Sequence, residues 1–525
     1  MDAATLTAAD VARGPGSPVT GPGLSSFERG RRATGLVLAP LALVGFLLAP
    51  IGLTATQHAL AATVLMVVVL WVTEAVPIPV GGLIGIVVAV LVGVAPAKAV
   101  VAPFGSTTVL LFIGVFILAR AMMVHGLARR LALRVLALPG VGSSTTRIIA
   151  AFGVITTLVS LMVSGTATVA MLLPTALGIS SVMTTLLVEQ GLLPRDVDRT
   201  KLRLNSALLL VLAYGASVGG FANPVSFPPN VIARGLIAQA LHRQVTVVQW
   251  FTAALPILAV MFVVLIGVVF LLVNKPEVKQ IAGVREYVRR ELDTIGPIGR
   301  AETNTLIAFG TTVLLWLAPG LLSLLVGSTS PLYTRVDGLL DEGIVALVGA
   351  CLLFVLPVDW TRRQFTLDWQ EAAHIDWGTI LLFGSGIIFG SLLQSTGLAK
   401  IIGTSSAHHL GLNGLVPITV FAILLAVVIS ETTSHTAAAA VIVPIIIPVA
   451  LAAGVDPIIP AMAGTFGCSL GSMLPVSTPQ NAIVYGSGVV RITTMIKSGI
   501  AFDIAGAILI IILLPIMVGL LGLGA

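Results

Sequence analysis

"VSGTATVAMLLP" runs from Val163 to Pro174, and "TSHTAAAAVIVP" runs from Thr433 to Pro444. Each sets a hydroxyl-flanked triplet, Ser164-Gly165-Thr166 or Ser434-His435-Thr436, ten residues ahead of a proline. The surroundings are almost wholly Leu, Val, Met and Ala. In hydrocarbon every backbone polar group needs a partner, so a polar break in an apolar helix survives only inside protein or against a watery cavity. The triplets therefore read as deliberate breaks, each starting a new helix whose free N–H groups face a cavity. Such a helix start attracts anions, and the hydroxyls add donors to it.

Composition fixes the solvent. Of 525 residues, 57% are apolar and 10% charged, against about 25% charged in ordinary soluble domains. Mean hydropathy is +1.08, and apolar runs of span length recur along the chain, which makes it an all-α polytopic membrane protein. The net charge of +6 is then a topological signal, with no nucleic-acid partner implied. Two cysteines, Cys351 and Cys468, lie in apolar stretches and support neither a disulfide framework nor a metal site. Residues 1–35 are Gly/Pro/Ser-rich and read as a disordered cytoplasmic tail.

Apolar runs fall near 36–53, 58–76, 79–97, 107–127, 203–242, 249–273, 302–326, 342–358, 378–396, 457–490 and 500–523. Two split pairs, 148–187 and 411–453, flank the triplets. If each pair is a re-entrant hairpin, the loops on the N-terminal side hold 22 of the 28 Lys and Arg, the bias expected of cytoplasmic loops. This gives about eleven crossings, an N-terminus inside, and hairpins opening to opposite faces. The expected organisation is a first half at 36–273, a cytoplasmic linker at 274–301 and a second half at 302–525.

Further matches support a repeat. "LLFIGVFILARAMMVHGLAR" (Leu110–Arg129) parallels "LLFGSGIIFGSLLQSTGLAK" (Leu381–Lys400), aligning Gly126 with Gly397, a pair read as packing. "NPVSFPPNVI" (Asn223–Ile232) parallels "LPVSTPQNAI" (Leu474–Ile483). Proline removes a donor and breaks helices, so these segments should unwind in mid-span and free carbonyls. Inverted repeats with broken helices mark secondary transporters, whose site lies where the halves meet. Ser160 and Ser430 stand one turn before the triplets. Hydroxyl oxygens together with unwound carbonyls suit a hard cation such as sodium.

These motifs, with "WVTEAVPIPV" (Trp71–Val80), "IDWGTILLFGSG" (Ile375–Gly386) and "STPQNAIVYGSG" (Ser477–Gly488), make the chain resemble the divalent anion:sodium symporter family over about residues 35–523. The resemblance implies a homodimer of eleven-span protomers with an elevator mechanism, carrying dicarboxylate, citrate or sulfate, usually with sodium. By carry-over, one cation site uses Ser160, Ser164, Gly165 and Ser226. The other uses Ser430, Thr433, His435 and Ser477. The substrate meets both triplets, with Phe227-Pro228 and Thr478-Pro479 as facing walls. The family's triplet is Ser-Asn-Thr; here Gly165 and His435 replace the asparagines, and Gln480 replaces a proline.

Ionisable residues inside a membrane are costly and often functional. Glu74 is expected to pair backbone freed by Pro77, and Arg120 to pair with a helix end or snorkel. Glu431 either braces the second hairpin or tunes its cation site. A paired set of intramembrane carboxylates is not expected. No HExxH, GxSxG or Walker motif points to an enzyme. The expected function is secondary active transport of a small divalent anion, a C4 dicarboxylate first, coupled to sodium or a proton. Sulfate or phosphate transport, sodium-independent exchange, a passive channel and a cation/proton antiporter are the alternatives. No cofactor is expected, and the setting is a bacterial inner membrane.

Overall fold

The computed structural model describes residues 26–141, 144–194, 202–241, 244–267, 275–277, 284–327, 330–410, 412, 414–475 and 477–523. Apart from one two-stranded ribbon, Pro357–Asp359 with Gln364–Phe365, its regular elements are helices. Eleven of the described helices are long and apolar enough to cross a membrane. Their membership differs from the sequence reading. Gly165–Glu189, Leu415–Thr432 and His435–Ala452, all legs of the split pairs, satisfy the criterion. Ile78–Leu91 and Ile458–Cys468 are shorter. The chain is an integral membrane protein.

Most of the expected tail, residues 1–25, lies outside the described residues. The first helix, however, is Ser26–Leu48, so ten residues read as tail are helical. Of the linker, the described part holds a helix at Val284–Ile295.

The breaks fall where the prolines predict. Arg203–Ala222 ends at Asn223 and the chain restarts as a helix at Pro228. Ile458–Cys468 ends at Ser469, and Pro479–Gly486 follows. A proline at the first helical position loses no bond, because that N–H has no intrahelical partner. Pro174, Pro444 and Pro448 lie inside continuous helices, so the triplets, not these prolines, are the points of rupture.

Arg203–Ala222 is the centre of the molecule. Every residue from Leu204 to Ala222 is buried. It packs on Thr145–Ser160, Gly165–Glu189 and Val247–Leu265. The packing is close because glycines leave room: a Cβ on Gly219 would lie 2.3 Å from the Thr157 carbonyl oxygen. Thr107–Val124 and Glu342–Val355 meet in the same way, a Cβ on Gly114 falling 2.5 Å from the Ala346 carbonyl carbon. Small residues at helix contacts are how membrane helices gain dispersion energy, since burial from lipid gains little.

Gly126 and Gly397 do something other than pack. Both have left-handed backbone, with φ of 66° and 73°, a conformation glycine adopts without steric cost. Each turns a membrane helix into an arm, Leu127–Leu136 or Leu398–Leu410. The first arm is amphipathic, burying Leu127, Leu133 and Leu136 with Arg129 and Arg134 outside. Its Arg130 is buried and pairs with Glu302 at 2.7 Å, joining the first half to the second.

Glu74 and Arg120 find partners that sequence reasoning did not foresee. Glu74 caps its helix in left-handed backbone and its carboxylate pairs with Arg31 at 2.6 Å. The backbone beyond Pro77 is instead served by Trp71, whose indole N–H donates to the Ile78 oxygen at 2.9 Å. Arg120 pairs with Glu371 at 2.6 Å.

Two predictions follow from this packing. Gly219→Ala forces a methyl against a backbone carbonyl, and thermal unfolding of the purified protein should show a loss of about 1–3 kcal/mol; an unchanged unfolding midpoint would refute the close approach. The helix Arg300–Val326 has 27 residues, about 40 Å at 1.5 Å per residue, so the segments at its two ends should lie on opposite faces. Single cysteines at Arg290 and Asp337, in a background lacking Cys351 and Cys468, should react with impermeant maleimide from opposite sides. Labelling of both from one side would contradict this.

Candidate functional site

The two triplets build the same local structure. Ser164 caps Gly165–Glu189, its hydroxyl oxygen accepting from the Ala167 amide at 3.3 Å. Ser434 caps His435–Ala452, accepting from Ala437 at 3.2 Å. These oxygens therefore serve their own helices, which is the ordinary work of an N-cap serine; each hydroxyl keeps its proton and one further lone pair to offer outward. Thr166 and Thr436 are half-buried, and among the described residues neither hydroxyl has a hydrogen-bond partner.

One turn earlier the parallel continues. Ser160 donates its hydroxyl to the Ala216 carbonyl at 2.6 Å, and Ser430 donates to the Cys468 carbonyl at 2.6 Å. Each link ties a hairpin to a broken helix. A hydroxyl whose proton is committed to a carbonyl offers only lone pairs elsewhere, the state that suits a cation. Thr433 donates to Ile429 at 2.7 Å and Ser477 to Leu474 at 2.6 Å, so they are oriented alike.

The breaks are held by asparagines. Asn223 donates to the Ser160 and Leu161 carbonyls, both at 3.0 Å, and to the Ser226 hydroxyl. Its own oxygen accepts from the amides of Val225 and Ser226 at 2.9 and 2.8 Å. Asn230 donates to the carbonyls of Gly220, Phe221 and Asn223 at 2.8–3.0 Å. Asn481, its counterpart, reaches Leu474 at 3.2 Å and Gly471 at 3.5 Å. The side-chain oxygens of Asn230 and Asn481 are buried without a hydrogen-bond partner. Oriented hydroxyls and unpaired amide oxygens, one set in each half, fit a hard cation. None of these three asparagines stood among the sequence candidates. The signal was present, since "PVS" with Asn four residues after the serine occurs in both halves.

The second break touches both triplets. The His435 amide donates to the Ser477 carbonyl at 3.3 Å. Three residues along, Gln480 donates from Nε2 to the Ser217 hydroxyl at 3.1 Å and packs against Gly165. From the first break, Phe227 meets the His435 ring edge-on, centroids 6.3 Å apart. Thus the stretch from Ser477 to Gln480 meets His435 of the second tip and Gly165 of the first, and Phe227 of the first break meets His435. Pro479 is exposed, and Pro228 is half-exposed.

The two tips differ in their free donors. Among the described residues the amides of Gly165 and Thr166 have no acceptor, whereas at the second tip His435 has spent its amide on Ser477. The His435 Nε2 lies 3.2 Å from the Gly471 carbonyl. A carbonyl only accepts, so Nε2 carries the hydrogen, and in the neutral ring Nδ1 is left as an acceptor.

A pair of buried carboxyls, absent from the sequence expectation, braces the second break. Glu431 accepts from the Met473 amide at 2.9 Å and Asp503 accepts from the neighbouring Ser472 amide at 3.3 Å. The residues are 5% and 3% exposed and serve consecutive amides of the same unwound stretch. The two come from Leu415–Thr432 and Ile492–Leu520, a pairing across 72 positions that no local motif reveals. Glu431 thus braces the unwound backbone.

Removing an asparagine should expose what it holds. Asn230→Leu removes a donor from three carbonyls; Gly220 keeps the Asn223 amide, and the two others are left unpaired at a cost of about 1–3 kcal/mol each. Asn481→Leu strips two longer contacts. Thermal unfolding should place Asn230→Leu clearly below Asn481→Leu, and the reverse order would contradict the bonding described.

The model of the sodium:sulfate symporter transmembrane region matches residues 32–522. The sodium-dependent dicarboxylate transporter SdcS of Staphylococcus aureus is 29% identical over 500 residues, covering 93% of this chain and 92% of the relative. Among solved structures, Neisseria gonorrhoeae MtrF, described as one of a class of antimetabolite efflux pumps, aligns with a TM-score of 0.55 at 16% identity, over 93% of this chain and 97% of MtrF. The Alcanivorax borkumensis YdaH transporter aligns with a TM-score of 0.50 at 14% identity, over 94% and 98%. These two show likeness of fold. With the family model matching nearly its whole length, the chain belongs to the sodium:sulfate symporter family, the divalent anion:sodium symporters.

Proposed function

We propose that the protein is a sodium-coupled secondary transporter of a small divalent anion, with a C4 dicarboxylate as the first candidate. The observation that carries the reading is the pair of capped helix starts, each presenting an unpartnered threonine hydroxyl, drawn together by the segment Ser477–Gln480. Thr166 and Thr436 offer hydroxyl donors, and the Gly165 and Thr166 amides add the positive end of a helix dipole. Two donor groups facing one centre suit an anion with charge at both ends. The relative SdcS is named for dicarboxylate transport with sodium, which favours that anion class over sulfate and phosphate.

In this reading sodium is cargo. Ser160, Ser164, Gly165 and Ser226 hold it in the first half, and Ser430, Thr433, His435 and Ser477 in the second. Cation and anion sites share the triplets, so each ion neutralises part of the other's charge and each raises the affinity for the other, as linkage requires. The transport step is an elevator-like movement of the hairpins and broken helices, in a homodimer, with hairpins opening to opposite faces.

Two measurements test this. Uptake of labelled succinate into proteoliposomes should rise with external sodium, and Thr166→Val or Thr436→Val should cut it at least tenfold, about 1.4 kcal/mol, with unfolding midpoints unchanged. Full uptake by both variants would end the assignment. At the second tip, the His435 ring offers at most one acceptor nitrogen, a weaker partner for sodium than an amide oxygen. His435→Asn should lower the sodium concentration needed for half-maximal uptake. An unchanged sodium profile would remove His435 from the cation site.

A further inference from the structure

The middle residue of each triplet is covered by a side chain from the opposite half. His435 is met by Phe227, and Gly165 is met by Gln480. The first contact is apolar. The second is not, and it has a structure of its own. A Cβ on Gly165 would stand 3.1 Å from Gln480 Nε2, 3.4 Å from its amide carbon and 3.5 Å from the Ala216 carbonyl oxygen. Gly165 has ordinary helical backbone, without the positive φ that demands glycine. What its missing side chain provides is room, and a carboxamide from another part of the chain fills it.

That carboxamide is half satisfied. Nε2 donates to Ser217 at 3.1 Å, yet among the described residues Oε1 has no hydrogen-bond donor. Gln480 is 3% exposed and Ser217 4%. An amide oxygen without a donor keeps both lone pairs for a ligand. The neighbours identify the partner. Ser160 has turned its proton onto Ala216, leaving lone pairs. Ala216 and Ser217 are consecutive in the buried helix that Gly165 abuts. Oxygen acceptors thus gather at the first tip, and a hard cation is what such a set takes.

We propose that Gln480 reaches across from the second half to complete the cation site at the first triplet: Gly165 makes room for the amide, whose Nε2 is held by Ser217, and the side-chain oxygen at its other corner ligates sodium. The inference rests on the transport reading for the location of the cation site, and adds to it a residue outside the set named there. It also gives a purpose to the pairing of glycine at 165 with glutamine at 480: one position has given up a side chain and the other supplies an amide at the same place. Because Ser477 holds the second tip three residues away, a cation bound through Gln480 would fix the segment that joins the two tips.

The test measures cation binding without transport. Full-length protein in detergent is titrated with sodium chloride against choline chloride at constant ionic strength, without organic anion, and its unfolding midpoint is followed, since a ligand that binds the native state stabilises it. Wild type should show a saturable rise. Gln480→Ala should shift the half-saturating sodium concentration upward at least tenfold, and Gln480→Glu, which keeps an oxygen at the same reach, should retain the response. Gly165→Asn crowds the amide and should weaken sodium binding alone, whereas Gly165→Asn with Gln480→Ala, which moves the amide back to the tip, should recover to within about threefold of wild type. A midpoint in Gln480→Ala within twofold of wild type, or a double variant no better than Gln480→Ala, overturns the inference, as does a wild type that sodium does not stabilise. Succinate uptake is scored separately: sodium binding that depends on Gln480 without succinate uptake upholds this inference and defeats the transport reading, and succinate uptake with no Gln480 effect does the opposite.

Discussion

The obligation to pair every backbone polar group inside hydrocarbon governs this molecule. Four interruptions, at the two triplets and the two proline-rich segments, release carbonyls and amides that lipid cannot serve. Each is repaid from within. Ser164 and Ser434 cap the helices they begin. Asn223 and Asn230 gather the carbonyls of the first break, and Asn481, Glu431 and Asp503 hold the second. Since the repair is made by side chains, it can be left incomplete at chosen atoms. Those atoms, the Thr166 and Thr436 hydroxyls and a few amide oxygens, are the ones a passing ion would meet.

How much of this the sequence discloses depends on the range of the interaction. The breaks are local: a triplet between apolar runs and a cluster of prolines each announce themselves, and both occur at the residues expected. The hydroxyls of Ser160 and Ser430 are legible for the same reason, lying one helical turn from a motif. Contacts between residues distant in sequence are not legible. Asp503 with Ser472, Arg120 with Glu371 and Arg31 with Glu74 join residues 31 to 251 positions apart, and no periodicity encodes them. Gly126 and Gly397 were visible as a pair, but a glycine that packs and a glycine that turns look alike until φ is known. Asn230 and Asn481 repeat in both halves, but beside a serine and prolines nothing local marks an asparagine as the residue that holds the break.

The two halves are alike in their bonds and unlike in their freedom. The hydroxyl-to-carbonyl links are equal, 2.6 Å in each. Yet the second tip is tied by the His435 amide and ring to Ser477 and Gly471, and its break is braced by two buried carboxyls. The first tip keeps two amides without acceptors and a glycine where the second has an imidazole. A site built this way does not bind its ions evenly. The second tip is already organised by the protein, so loading it releases less free energy through new bonds but costs less order; the first gains more bonds on loading and must be ordered to do so.

That asymmetry bears on how binding and movement are joined. Ser477 and Gln480 sit three residues apart on one short stretch, which ends in the helix Pro479–Gly486, and they contact opposite tips. A displacement of either tip therefore pulls on a segment whose other end holds its counterpart. Interactions that are packed and hydrogen-bonded at both ends switch between discrete arrangements instead of stretching. On the transport reading proposed above, the first tip, with its unspent donors, is where a ligand would change the bonding most, and the stretch from Ser477 to Gln480 is the contact through which that change would reach the second.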